Sequence, residues 1–200
     1  MGRLGFAFNM VRCVGCKTCQ AACKDKNGLS SGHFFRRVIR LPVGDGKPLA
    51  NSVDFVNYSA ACCHCGNPAC VNGCEAGAMR KNEDGTVSND PASCIGCGAC
   101  VWNCPYGGPK LSEVSGVSQK CDACADLLKE GRKPMCAAAC PTFALDFGDL
   151  DELEKIYGPD VIRQPPTQTD SQTDPSILIK MNLTKTNSCQ NKPDQERSLP

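Results

Sequence analysis

The stretch "CIGCGACVWNCP", residues 94–105, places four cysteines in eleven positions and sets a proline after the last. Three readings compete for so dense a run of thiols: a disulfide staple, a zinc knuckle, or a cage for an iron–sulfur cluster. The other cysteines separate them. Cys13, Cys16, Cys19 and Cys23 repeat the C-x2-C-x2-C-x3-C pattern of Cys94, Cys97, Cys100 and Cys104. Cys62, Cys65, Cys70 and Cys74 read C-x2-C-x4-C-x3-C, and Cys121, Cys124, Cys136 and Cys140 read C-x2-C-x11-C-x3-C. Every set opens with x2 and closes with x3. Of 18 cysteines only Cys63 and Cys189 stand outside the sets.

Disulfides fit this regularity badly, because a CxxC pair closed on itself is strained and reducible. Zinc sites take two CxxC pairs or added histidines, with no reason for a third and fourth cysteine at fixed steps. The run C-x2-C-x2-C-x3-C-P is the ligation pattern of bacterial ferredoxins, in which the fourth cysteine serves the neighbouring cluster of a pair. Cysteines at i, i+3 and i+6 wrap three corners of a cubane, and Gly15, Gly96 and Gly98 let backbone amides approach the sulfides. From third to fourth cysteine, "CQAAC", "CVNGC", "CVWNC" and "CAAAC" each span one helical turn, a rise of about 6 Å. Two clusters held at the ends of one such turn are close neighbours, as an electron relay requires.

Composition supports metal cross-linking. Leu, Ile, Val and Phe make up only 38 of 200 residues, near the level of about a fifth at which polar chains stay unfolded. Bound metal is a common remedy for so thin a core. The net charge of +1 offers no field for nucleic acid, and no apolar run is long enough to cross a bilayer. "MGRLGFAFNMVRC" is too short and too lightly apolar for a secretory signal. Arg36-Arg37 lies well inside the chain with no long apolar stretch after it, so it reads as a half-buried strand with its basic residues exposed.

A repeat follows the late cysteines: "CEAGAM", "CPYGGP" and "CPTFAL" each lead from a cysteine through small residues into a short strand. Asp84-Gly85 marks one hairpin turn and Gly116 another. The unit of cluster loop, short helix and hairpin predicts an α+β fold of ferredoxin-like modules. "GDLDELEKIYGP" predicts a helix capped by Asp149, with Leu150, Leu153 and Ile156 facing the edge of the second module and Gly158-Pro159 stopping it. "QPPTQTDSQTDP", residues 164–175, reads as a linker, "SILIK" as a docking strand, and the last dozen or so residues as a disordered tail.

The order of the four sets, with "CKTCQAACKDKN", "FRRV", "NPAC", "GAM", "NEDG", "CIGC", "CPYG", "KCDAC", "GRKPMC", "CPTFALDFG" and "DEL", closely resembles the four-cluster iron–sulfur subunits of dimethyl sulfoxide reductase-type molybdoenzymes. The resemblance covers roughly residues 3 to 158, and "PSILIK" is similar to the family's tail. It implies two tandem ferredoxin-like modules, one inserted within the other, binding four 4Fe-4S clusters and followed by a C-terminal extension. Residues 1–50 with 115–148 form the first module, 51–114 the inserted second, 149–163 a helix and connector, and 164–200 the linker, docking strand and flexible tail. The implied ligand sets are Cys13, Cys16, Cys19 with Cys140; Cys121, Cys124, Cys136 with Cys23; Cys62, Cys65, Cys70 with Cys104; and Cys94, Cys97, Cys100 with Cys74. Cys100 is present where some relatives lack a cysteine, which favours four full cubanes. Glu75 stands where a proline is usual, loosening one exit loop.

By the same resemblance the subunit relays electrons from a quinol-oxidising, polytopic membrane anchor to a large molybdopterin catalytic subunit. It has no catalytic site of its own and no nucleic-acid partner. The Cys13 cluster faces the molybdenum subunit, the Cys62 cluster faces the quinol side, and the Cys100 cluster is third in order. The complex is expected to sit peripherally on the cell membrane, at the outer (periplasmic) face by export with its partner, with the cytoplasmic face as the alternative. The competing function is a zinc-stapled interaction module without redox chemistry; the catalytic substrate, whether dimethyl sulfoxide, an N-oxide, polysulfide or an oxyanion, is not written in this chain. Cys63 and Cys189 read as non-ligands, His33 as a surface residue, His64 as a residue able to donate to cluster sulfur, and Trp102 as a cover against water.

Overall fold

The computed structural model describes residues 2–42, 55–167 and 172–181. The expected boundary between residues 50 and 51, Cys189 and the expected tail lie outside the described residues. Along the chain run β1 (Leu4–Asn9), α1 (Thr18–Lys26), β2 (Arg36–Pro42), β3 (Phe55–Ala61), α2 (Ala69–Asn72), β4 (Met79–Lys81), β5 (Val87–Asn89) and α3 (Ala99–Asn103). There follow β6 (Lys110–Leu111), β7 (Ser118–Gln119), α4 (Ala125–Lys129), α5 (Met135–Ala138), β8 (Leu145–Asp149), α6 (Leu150–Tyr157), β9 (Val161–Ile162) and β10 (Ile177–Lys180). The mixture is α+β, with short helices delivering cysteines and short strands leaving them.

One four-stranded sheet has the order β8-β1-β10-β9, and three separate hairpins pair β2 with β3, β4 with β5 and β6 with β7. The last two are the turns expected at Asp84-Gly85 and Gly116. Strand β1 runs antiparallel to β8 and parallel to β10, with Phe6 opposite both Phe147 and Ile177. Because β1 is central and covered on both faces, its sequence "LGFAFN" shows no alternation of apolar and polar residues.

One face of this sheet presents Phe6, Phe8, Phe147, Ile177 and Ile179 to Val38 and Tyr58 of the β2–β3 hairpin. Phe6 meets Phe147 edge-on at 4.8 Å between ring centroids, and Phe8 meets Tyr58 at 5.7 Å. Each such buried side chain contributes about 1.5–3 kcal/mol. On the other face Ala7 and Leu178 pack under Leu150, Leu153 and Tyr157 of α6. Asp149 caps α6 by accepting the amides of Asp151 at 3.0 Å and Glu152 at 3.3 Å.

Three expectations are corrected here. The helix covers the four-stranded sheet, not an edge of the inserted segment, and its buried stripe is 150, 153 and 157. Ile156 lies on the far side, 69% exposed, because the i, i+3, i+7 line places Tyr157 inward. Residues 172–175 are not a free linker. Asp174 O accepts the Gly66 amide at 2.6 Å, Thr173 O accepts that of Asn67 at 2.9 Å, and Asp174 pairs with Arg3. Just beyond, the Ser176 amide donates to Cys63 O at 2.9 Å. Finally, Arg36 is only 3% exposed, although Arg37 and Arg40 face solvent as expected.

Candidate metal centres

The four CxxC loops share one backbone device. The residue just before the second cysteine, Gly15, His64, Gly96 or Ala123, has φ of 73°, 45°, 72° or 61°. A left-handed residue at this point turns successive amides inward to form a concavity for negative charge. Two of the four positions avoid the steric cost with glycine; His64 and Ala123 bear it. The third cysteine of each set then sits on a short helix: Cys19 on α1, Cys70 on α2, Cys100 on α3 and Cys136 on α5.

Folding brings the cysteines together across the sets. Cys62, Cys65, Cys70 and Cys104 line one cavity, walled by Val87, Pro105 and Pro109. Cys74, Cys94, Cys97 and Cys100 line a second, with Met79 and Ile95. In the remaining region Cys13 lies within reach of the charges of Cys16, Cys19 and Cys140. Cys23 feels Cys136 and Cys124, and Cys121 feels Cys136 and Cys23. Each of the two cavities thus brings three cysteines of one sequence set together with one from another.

Donors surround the sulfurs. Backbone amides of Met79, Gly108, Ser118 and Ala123 donate to Cys74, Cys104, Cys94 and Cys121 Sγ at 3.3–3.4 Å. Ser59 Oγ lies 3.4 Å from Cys19 Sγ, while the Cys100 thiol itself donates to Ser118 Oγ at 3.2 Å. The amide donors stabilise thiolate and sulfide, the charged forms that a cluster presents. Without metal the thiols hold their protons: burial raises Cys23 and Cys70 to about 12 and Cys65 to about 11, with neighbouring cysteines adding to it. Exposed Cys16 goes the other way, lowered by the Thr18 hydroxyl and amide. Iron therefore displaces protons on binding.

The geometry discriminates among the metals. The described cysteines are all free thiols. Among the described residues no three or more His, Cys, Asp or Glu side chains converge tightly enough for a single ion, whereas zinc needs its thiolates at about 2.3 Å. The thiols surround space instead of a point, which suits a cubane with iron at each corner.

Several side chains depart from their expected roles. Cys62 is the cysteine whose charge weighs most on Cys121, ahead of Cys136 and Cys23. Trp102 is 87% exposed and does not line the Cys100 cavity. His33 is half-buried. Cys63, at 2% exposure, packs into the aromatic core and also lines the Cys62 cavity.

His64 is fully buried, and its Nδ1 accepts the Val87 amide at 2.9 Å. Burial, with Lys120, Lys81 and Arg36 nearby, holds the imidazole well below its ordinary range, so it is neutral with its proton on Nε2. That atom has no hydrogen-bond partner among the described residues. Sequence reasoning missed two further groups around the sites. Lys120 is 6% exposed with its ammonium donating to Val87 O and Cys121 O, and Arg36 lies near four cysteines.

Paired cysteine gatherings joined by one-turn helices and fed by inward amides define a ferredoxin-like 4Fe-4S electron-transfer protein of mixed α and β structure. Residues 53–150 match the family described as a 4Fe-4S dicluster domain. The B subunit of the anaerobic dimethyl sulfoxide reductase of Escherichia coli is 44% identical over 182 residues, covering 89% of this chain and 88% of that one. The corresponding subunit of Haemophilus influenzae is 41% identical over 187 residues, 91% of each. The thiosulfate reductase electron transfer subunit of Salmonella typhi is 44% identical over 147 residues, 72% of this chain and 74% of that one. The chain belongs to the family of iron–sulfur B subunits of dimethyl sulfoxide reductase. Members carry electrons for an oxidoreductase complex instead of holding a catalytic site. No helix among the described residues is long and apolar enough to cross a membrane.

Proposed function

We propose that this chain carries four 4Fe-4S clusters and relays electrons from a quinol-oxidising membrane anchor to a molybdopterin catalytic subunit. The ligand sets are Cys13, Cys16, Cys19, Cys140; Cys23, Cys121, Cys124, Cys136; Cys62, Cys65, Cys70, Cys104; and Cys74, Cys94, Cys97, Cys100. The observation that carries this reading is the two thiol-lined cavities, each gathering three cysteines of one sequence set with one from another, Cys63 being the additional thiol at the first. That exchange is what paired cubanes require.

The modules follow the cysteines: residues 1–50 with 115–148 hold the outer pair, and 51–114 hold the inserted pair. Residues 149–163 and the strand within 164–200 complete the outer sheet, a reading supported by the packing of α6 and β10 on β1. The proximity of Cys62 to Cys121 supports a wire in the order Cys13, Cys121, Cys62, Cys100 sites, so that the Cys100 site faces the anchor and the Cys13 site the catalytic subunit. Reduction of each cluster adds one electron and needs no proton, so the protein's work is to hold the clusters close, dry and at suitable potentials. The relatives named for dimethyl sulfoxide reductase support an S-oxide-reducing partner. The complex sits peripherally on the membrane, at its outer face.

Anaerobic purification of the complex tests this. Four iron and four sulfide for each of four clusters per chain are expected; a colourless chain holding zinc overturns it.

A further inference from the structure

Arg36 is a buried cation without an acidic partner. It is 3% exposed, and no carboxylate among the described residues lies within ion-pair distance. Its Nη1 donates to Ser59 O at 3.0 Å and Ser59 Oγ at 3.1 Å, and its guanidinium stacks on the Phe6 ring at 4.6 Å. Nη2 is buried with no acceptor among the described residues. A guanidinium desolvated against neutral dipoles and one ring face is destabilising unless an anion compensates it.

The groups positioned to compensate it are cysteines. Those acting most strongly on Arg36 are, in order, Cys136, Cys19, Cys121 and Cys23. Cys19 belongs to the gathering with Cys13, and the other three belong to the next one. Ser59 ties the two sides together, since the hydroxyl that receives Nη1 also lies 3.4 Å from Cys19 Sγ. The guanidinium thus stands between two neighbouring sites, held by β2 and β3, with one donor left over.

We propose that Arg36 is a fixed counter-ion shared by the two clusters of the outer cysteine gatherings, its spare Nη2–H supplying a hydrogen bond to cluster sulfur and its charge raising both reduction potentials. The inference rests on the four-cluster reading above. Each reduction places one more negative charge beside the guanidinium, and the fixed positive charge favours that state over the oxidised one. Exposed Arg37 and Arg40 on the same strand have no such role.

The test is an EPR-monitored redox titration of the whole anaerobically purified complex, with iron and sulfide counted in parallel, for the unsubstituted chain, Arg36→Gln and Arg36→Lys. The iron and sulfide count of the unsubstituted chain reports on the four-cluster reading separately. In Arg36→Gln two cluster potentials should fall, each by about tenfold in its reduction equilibrium, or about 59 mV for one electron. The other two should not move, and Arg36→Lys, which keeps the charge, should restore most of the shift. Loading of Arg36→Lys but not Arg36→Gln also supports the proposal, because charge then decides assembly. Fully loaded Arg36→Gln with no potential, a single potential or all potentials shifted overturns it, as does failure of both variants to load.

Discussion

Removing iron and sulfide should unfold the molecule from the inside. Between residues 62 and 120 the apolar cluster consists of Cys70, Cys100, Met79 and Val87, so only two large aliphatic side chains are fully buried there. At about 1.5–3 kcal/mol each they contribute roughly 3–6 kcal/mol. That is a thin apolar core for a segment of some sixty residues, which on its own would call for metal or another cross-link. The four-stranded sheet is better placed, with Phe6, Phe8, Phe147, Leu150, Leu153, Leu178 and Ile179 all buried. Hydrogen–deuterium exchange of the holo-protein and of the anaerobically chelated protein should therefore show the amides of Asn82 and Val87 losing protection first. The amides of Phe6 and Phe8 should outlast them. Undiminished protection across 62–120 after complete loss of iron and sulfide would refute the reasoning, because side-chain packing would then suffice.

Replacing Cys100 with serine should stop or slow quinol-driven turnover of the complex while sparing turnover from an artificial donor that feeds the catalytic subunit directly; equal loss of both in a fully assembled complex contradicts the proposed wire. His64→Leu removes the acceptor of the buried Val87 amide, a cost of about 1–3 kcal/mol, so exchange of that amide should speed up by about 5- to 150-fold where it opens locally. In the chelated protein, alkali should loosen what remains of the outer sheet region. Unfolded thiols ionise near 9, whereas Cys23 keeps its proton to about 12 in the fold. The fold therefore binds more protons than the unfolded chain across that window, and its stability, whole below about pH 9, is lost as pH rises; a denaturant midpoint measured from pH 8 to 11 should fall.

The metal chemistry was legible because ligand spacing is a local property: x2 steps turn a loop, and x3 steps turn a helix. The grouping of Cys104 with the Cys62 cavity is not local, and it entered only through a family resemblance. What stayed hidden depends on partners far along the chain. Arg36 shares a strand face with buried Val38, but its charge makes it read as solvent-facing, and the cysteines that make its burial tolerable lie as far along the chain as 121 and 136. Residues 172–175 look like linker because they are polar, but it is their backbone that bonds, to a loop more than a hundred positions earlier. Strand β1 carries no periodic signal because neither of its faces meets water, and Tyr157 displaced Ile156 by one position on a helical wheel. The proposed order of the Cys62 and Cys100 sites turns on the charge of Cys62 acting on Cys121, which no spacing encodes.

The parallel pairing of Phe6 with Ile177 has a consequence in time. During synthesis the first strand emerges early and has to wait, since one neighbour in its sheet is made at 145–149 and the other at 177–180. The cysteines from 62 to 104, by contrast, are all synthesised some seventy residues before that final strand. The order of synthesis therefore lets the middle of the chain gather its cysteines before the enclosing sheet can close behind it. A stalled chain ending before residue 177 would be a half-furnished intermediate, with its middle assembled and Phe6 and Phe8 bare to whatever chaperone meets them.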